Sequence, residues 1–362
     1  MKRDLFPISP SASSPSSTTF EQILEPTNVG YHELNICFKR VSSQTNLDLL
    51  IDVCGYLVHL RVVGERWGDL VKKSLGRLES QSKNRLPDLT IDLWDASATD
   101  QAMPVLTGDV VLKGSADGRY VGDDRAHSRQ WLDFETSHIV GVVESTNQLQ
   151  IDELARPCQK LLSAWLMERG VQFIHSGMVA YEGCGALFVG RGGSGKSTCS
   201  VACLQAGLDY LGDDFIGLAT NARSPVAEGL FASALLGRDH LQRFPSLAGL
   251  DTPTGNPADV KTALFLDNLS GSRFLSKSPI SAIVLPRVIG TGPTFLEPAS
   301  KGKALLALAP SSVMYLPRPE KQALDPLSEL VSAVPSFWLN LGAQVQEIPE
   351  RVREMLASLR IE

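Results

Sequence analysis

Residues 190–198 read Gly-Arg-Gly-Gly-Ser-Gly-Lys-Ser-Thr, and this run dictates more of the surrounding fold than any other part of the chain. It follows an apolar stretch, Ala186-Leu187-Phe188-Val189, and leads into a helix-competent segment, so it reads as a loop joining a strand to a helix N-terminus. Glycines at Gly190, Gly192, Gly193 and Gly195 let successive backbone N–H groups turn toward one point, which suits phosphate oxygens. In this phosphate-binding pattern Ser194 completes the loop, Lys196 reaches the β and γ phosphates, Ser197 meets the Mg²⁺ they carry, and Thr198 opens the helix. A nucleoside triphosphate with Mg²⁺ is the expected ligand.

The 362 residues are 43% hydrophobic and 20% charged with a net charge of −6, enough chain for one large or two medium domains. Mild acidity argues against general binding to nucleic acid or an anionic membrane, since both need a basic surface. No apolar run reaches the roughly 18 residues of a membrane span, and Met1-Lys2-Arg3 passes into polar and proline residues without an apolar signal core. A cytoplasmic location is the expectation. Cys37, Cys54, Cys158, Cys184, Cys199 and Cys203 sit in apolar surroundings without metal-ligand spacing and read as small core residues of a reducing compartment.

Residues 1–28, rich in Ser and Pro, carry too little apolar surface to offset ordering and are expected as a disordered leader. Residues 29–150 hold short β-branched or alternating runs at 33–38, 56–63, 89–94, 110–113 and 139–144, read as strands. One helix interrupts them, with Trp67, Leu70, Val71, Leu75 and Leu78 at helical spacing. This is a smaller, β-rich N-terminal domain with no chemical signature of its own. A second amphipathic helix over 151–169, stopped by Gly170, leads into a domain covering 151–362. There, runs at 171–175 and 178–181 and the turn Glu182-Gly183 place a hairpin immediately before the loop, unlike a βαβ entry. The fold class expected is α+β with a mixed sheet.

Asp213-Asp214 follow the loop helix and the short run Tyr210-Leu211-Gly212. An acid pair so soon after Lys196 places carboxylates beside the γ phosphate, where one can hold Mg²⁺ and the other can orient or deprotonate an attacking hydroxyl.

The segment Phe173-Ile174-His175-Ser176-Gly177, the hairpin, residues 190–198 and Gly212-Asp213-Asp214 together resemble the C-terminal catalytic domain of HPr kinase/phosphorylase. They are also similar to related kinases of peptide-tailoring operons, including lasso-peptide kinases, and more distantly to phosphoenolpyruvate carboxykinase. The resemblance implies a serine kinase acting on a small protein or peptide. It implies Lys196 and Ser197 as phosphate and Mg²⁺ ligands, Asp213 as base on the acceptor, Asp214 as the metal-side acid and His175 as a catalytic partner of the pair. A carboxylate beside His175 would favour its protonated form.

The family's second signature region, which serves the metal and the reverse reaction, has no clear copy here. Glu228, Arg238 and Asp239 fall in the interval without its spacing, and Lys261 and Arg287 are cations at strand ends that could face phosphate. The resemblance therefore does not carry over phosphorolysis or HPr as the substrate. Two other classes stay open: a small-molecule phosphotransferase resembling the carboxykinase, whose anion pocket would draw on Arg191, Arg238 and Arg287, and a nucleotide-dependent switch or slow ATPase. A homo-oligomer is compatible with all three.

Overall fold

In the computed structural model the described residues are 28–82, 84–104, 111–115, 117–219, 224–247, 249–252, 261–266, 269, 273–314 and 321–360. The expected leader therefore lies outside them except for Asn28, which opens a helix.

That helix, α1 (Asn28–Val41), is followed by β1 (Thr45–Val53), β2 (Tyr56–Val63), α2 (Glu65–Leu75), β3 (Leu89–Asp95), β4 (Val111–Gly114), β5 (Tyr120–Arg125), β6 (Ser128–Asp133) and β7 (His138–Val143). The strands form a seven-stranded sheet in the order β1-β2-β3-β7-β6-β5-β4, in which β2–β3 and β3–β7 are parallel. The strand expected at 33–38 is part of α1. Leu34, Ile36 and Phe38 alternate in sequence, but the chain buries Tyr31, Leu34, Phe38 and Val41 and leaves Ile36 exposed, the period of a helix face. This face packs on Val63, Trp94, Trp131 and Val140.

The helix expected over 151–169 is two: α3 (Ile151–Ala155) and α4 (Gln159–Met167). Pro157 lies between them and Cys158 adopts φ 56°, because a proline has no N–H to continue the ladder. Both helices lie between the first sheet and the strands that begin at Val171, and one apolar cluster runs from Ile51 and Trp67 through Leu161 and Trp165 to Phe173, Phe215 and Phe231. Charge joins them too: Arg125 pairs with Asp123 at 3.1 Å and Asp152 at 3.0 Å, and Lys160 reaches Asp123 at 2.9 Å.

Next come β8 (Val171–Ile174), β9 (Ser176–Tyr181), β10 (Cys184–Val189), α5 (Lys196–Gln205), β11 (Asp209–Gly212), β12 (Ile216–Ala219), β13 (Val226–Gly229), β14 (Ser233–Gly237), α6 (Arg238–Leu241), β15 (Asp251–Thr252), β16 (Lys261–Phe265) and β17 (Lys277–Val288). The chain closes with β18 (Phe295–Pro298), α7 (Lys301–Met314), α8 (Asp325–Ala333), β19 (Ser336–Leu341) and α9 (Glu347–Ser358). A nine-stranded mixed sheet follows the path β11-β9-β10-β17-β13-β12-β8, with β19 and β18 continuing from β17, and β14-β16-β15 form a small third sheet. The architecture is mixed α/β with mixed sheets, in keeping with the α+β expectation. The six cysteines are free; Cys199 and Cys203 are fully buried in the core beneath α5.

Candidate functional site

The second sheet gathers the chemical residues at one end. Strand β9 is antiparallel to both β10 and β11, so β10 and β11 run the same way and finish together. β10 delivers the loop at Gly190, β11 delivers Asp213 and Asp214, and the β8–β9 junction places His175 beside them, with Ser176 opposite Val189 in register. The expected hairpin before the loop is β9–β10, turning at Glu182-Gly183.

The loop has the conformation its glycines permit. Gly190, Gly193 and Gly195 have φ of 149°, 79° and 106°, and a Cβ on Gly195 would lie 2.6 Å from Leu341 Cδ1, so only glycine fits there. Residues 191–193 are exposed while Lys196 and Thr198 are buried. Lys196 is not held out toward solvent: Nζ donates to Gly190 O at 2.7 Å and Arg191 O at 3.3 Å. Burial lowers its pKa, against the pull of Asp214 and Asp213. The lysine thus folds back onto the loop carbonyls at the N-terminus of α5, an end whose dipole favours anions. Thr198 Oγ1 hydrogen bonds His240 Nδ1 at 3.0 Å, which ties α6 to the loop helix.

The two aspartates occupy opposite electrostatic situations. Asp214, at φ 67°, accepts from Arg156 Nη1 on Oδ2 at 2.5 Å and faces His175 Nε2 with Oδ1 at 3.3 Å. Burial opposes its ionisation, but Arg156, His175 and Lys261 outweigh it and hold its pKa well below the usual carboxylate range. Asp213 is 1% exposed, and neither of its oxygens reaches a hydrogen-bond partner in bonding geometry. Burial and the neighbouring Asp214 charge raise its pKa to about 7, with Ser197, Lys196 and Lys261 opposing. Ser197 is near enough to lower that pKa but makes no hydrogen bond that satisfies either oxygen. The bare Gly177 makes this placement possible: a Cβ there would collide with Ser200 Oγ and stand 3.0 Å from Asp213 Oδ1.

His175 departs from its expected charge state. Burial, Lys196 and Arg156 lower its pKa and prevail over the Asp214 carboxylate that would raise it, which favours the neutral imidazole; the ring is stacked at 5.7 Å on Phe215.

Arg156, which the sequence reading did not single out, joins the acid pair through Asp214. It lies at the C-terminal end of α3, its guanidinium carbon 5.1 Å from the Phe215 ring centroid. Arg77, following α2, likewise reaches across to donate to Leu211 O, two residues before Asp213, at 2.6 Å and to Leu275 O at 3.4 Å. Among the other cations, Lys261 acts on both aspartates, whereas Arg287 is spent on Asn340 and on Glu297 at 2.5 Å. Glu228 pairs with Lys277 at 3.1 Å and does not join the acid pair. Arg238 and Asp239 are exposed on α6.

For Mg²⁺ the donor set is informative. Among the described residues no group of three His, Cys, Asp or Glu side chains is arranged to hold a metal, so a cation here would take part of its shell from phosphate, as Mg²⁺ commonly does. Both oxygens of Asp214 are engaged, while Asp213, with two bare buried oxygens near Ser197, is open either to a hard cation or to a proton.

No family model matches the chain, and no curated protein matches it. Among solved structures it is similar to the Hpr(Ser) kinase/phosphatase from Coxiella burnetii, at 14% identity over 52% of this chain and 97% of that one, with a TM-score of 0.30. No helix among the described residues is long and apolar enough to cross a membrane.

Proposed function

We propose that the protein is an ATP-dependent phosphotransferase that moves the γ-phosphate to a serine hydroxyl of a small protein or peptide. The observation that carries this reading is Asp213: a buried carboxylate without a hydrogen-bond partner, with a pKa raised to about 7, at the same sheet end as a complete phosphate loop. A base is most effective when its pKa lies near the working pH.

In this reading the loop N–H groups and Lys196 hold the phosphates in line. The acceptor oxygen attacks the γ-phosphorus as its proton passes to Asp213, and the bond to the β–γ bridging oxygen breaks to release ADP. Transfer of this kind needs positioning and charge neutralisation without a covalent enzyme intermediate. Ser197 would hold Mg²⁺ together with phosphate oxygens, and the cation would supply positive charge to the phosphates while Asp213 stays open to the proton. Asp214 is assigned a positioning role: it anchors Arg156 and His175, and this replaces the metal-side role that the resemblance implied. Of the three arginines the carboxykinase-like alternative would need, Arg287 is committed to Asn340 and Glu297, while Arg191 and Arg238 are exposed.

Lys196→Met tests the nucleotide half of the proposal. It keeps the aliphatic stem and removes the charge, so ATP-Mg²⁺ affinity measured by calorimetry should fall by about tenfold or more, the scale of one charge-assisted contact. Unchanged affinity and turnover would overturn the phosphate-loop assignment. The acceptor half is tested with γ-labelled ATP and candidate peptides. Label on serine supports transfer, while ATP-dependent association with a partner and no label would favour the switch.

A further inference from the structure

A second constellation lies on the first sheet. Strands β2, β3 and β7 are neighbours, and register places Arg61 beside Asp92 and Thr90 beside His138. Across from them α1 presents Tyr31, Asn35, Phe38 and Lys39 at helical spacing. Between helix and sheet opens a cleft of about 520 Å³, within the size range of small-ligand sites.

Its floor is a chain of hydrogen bonds. Arg61 donates through Nε and Nη2 to the two oxygens of Asp92, both at 2.7 Å. Asp92 Oδ2 is 3.0 Å from His138 Nε2, and His138 Nδ1 is 2.7 Å from the Tyr31 hydroxyl. A carboxylate can only accept, so Nε2 carries the proton toward Asp92. In a neutral ring Nδ1 then accepts the Tyr31 O–H. The relay fixes every member: Asp92 is 2% and Tyr31 4% exposed. Arg61 is held further by the Phe38 ring, 5.3 Å from its guanidinium carbon.

Such an arrangement leaves a defined surplus. Two of the five guanidinium N–H groups go to Asp92, and the Arg61 side chain remains 33% exposed. Its charge is matched by Asp92, and the exposed Lys39 adds one more cation, so the lining carries about one net positive charge. Hydroxyls of Ser42, Thr90 and Thr136 and the Asn35 amide also line the cleft. One surplus positive charge matches a carboxylate monoanion and falls short of a phosphate dianion. Hydroxyl and amide groups suit ligand hydroxyls, and Asp92, the only acid in the lining among the described residues, is already paired and cannot receive an ammonium group.

We infer that this cleft is a binding site for a small hydroxycarboxylate, with Lys39 and the unspent guanidinium edge of Arg61 on the carboxylate and the hydroxyl and amide rim on the rest. The relay is the scaffold that holds Arg61 in place. The site is independent of the proposed phosphotransferase reaction.

The test uses the full chain with ATP-Mg²⁺ present, so that the phosphate loop does not compete for the probes. Gluconate, the uncharged sorbitol and the dianionic sorbitol 6-phosphate are titrated by calorimetry and by ligand-observed NMR. Gluconate is expected to bind one to one with Kd below about 1 mM, at least fivefold tighter than sorbitol 6-phosphate, with sorbitol weaker still. Lys39→Gln, a surface change, should weaken gluconate about fivefold, and Ser42→Trp should block it by filling the cleft. Arg61→Gln should abolish binding, but it also unpairs Asp92, so the first two variants decide. No gluconate binding up to about 20 mM, equal affinity for sorbitol, tighter binding of the phosphate, or indifference to both Lys39→Gln and Ser42→Trp would each overturn the inference.

Discussion

Asp213→Asn is expected to cut phosphoryl transfer about a thousandfold, near 4 kcal/mol of barrier, while making the protein more stable at pH 8. Both effects have one cause. The carboxylate is buried without a hydrogen-bond partner beside a second carboxylate, and its pKa is raised to about 7. Between its unfolded value near 4 and 7, the folded state holds a proton that the unfolded state has released. Stability therefore falls as pH rises through that window and stays reduced above it. An amide at the same place has no charge to bury, so the variant loses this slope. The gain above pH 7 is about 2–4 kcal/mol, since each pH unit between the folded and unfolded titrations corresponds to about 1.4 kcal/mol, or roughly 5 °C or more in melting temperature.

Transfer by the wild type runs the other way and should rise with pH through about 7, as Asp213 loses the proton that keeps it from acting as base. Melting curves and kcat for both proteins at pH 5.5 and pH 8 measure the two effects together. A variant that melts lower than the wild type at pH 8, or transfers at the wild-type rate, would remove Asp213 from the proposed role. Cost in stability with gain in chemistry at one residue is the usual mark of a functional site.

The sequence exposes local chemistry and hides whatever depends on distant partners. The glycine-rich loop, its helix and the strand followed by two acids lie within about 25 residues of one another, and each follows from backbone demands and spacing. Strands β5 and β6 went unseen because Asp123, Asp124, Arg125, Arg129 and Asp133 make them look like surface. Their charges are buried in ion pairs with each other, with Arg119 and with α3 and α4. The alternation of Leu34, Ile36 and Phe38 resembled a strand, and only the packing of Tyr31 and Val41 on the sheet selects the helix. Arg156 had no local signal at all, since its partner Asp214 is 58 residues away and an arginine near the end of an amphipathic helix is ordinary. His175 was visible, but its charge was not. The sign depends on burial and on Lys196 and Arg156 as well as on the carboxylate.

Breaking the Arg156–Asp214 pair should have the largest effect on stability. Each side chain is 8% exposed, and they meet at 2.5 Å. Removing either partner by Arg156→Met or Asp214→Asn leaves a buried charge without its counterion, a loss of about 3–5 kcal/mol, measured by urea unfolding at pH 7. The double variant removes both charges at once and should recover much of that loss, so the single effects will not add. Acid provides an independent check. Because Arg156 and His175 hold the Asp214 pKa below its unfolded value, the pair's contribution is complete above about pH 4 and is lost as pH falls further. The gap between the wild type and Arg156→Met should therefore narrow toward pH 3. Additive single effects, or a gap that does not change with pH, would mean that Asp214 draws its ionisation from elsewhere in the cluster. Recovery in the double variant without recovery of transfer would locate the pair's value in holding His175 and the acid-bearing turn, which is the positioning role assigned to Asp214.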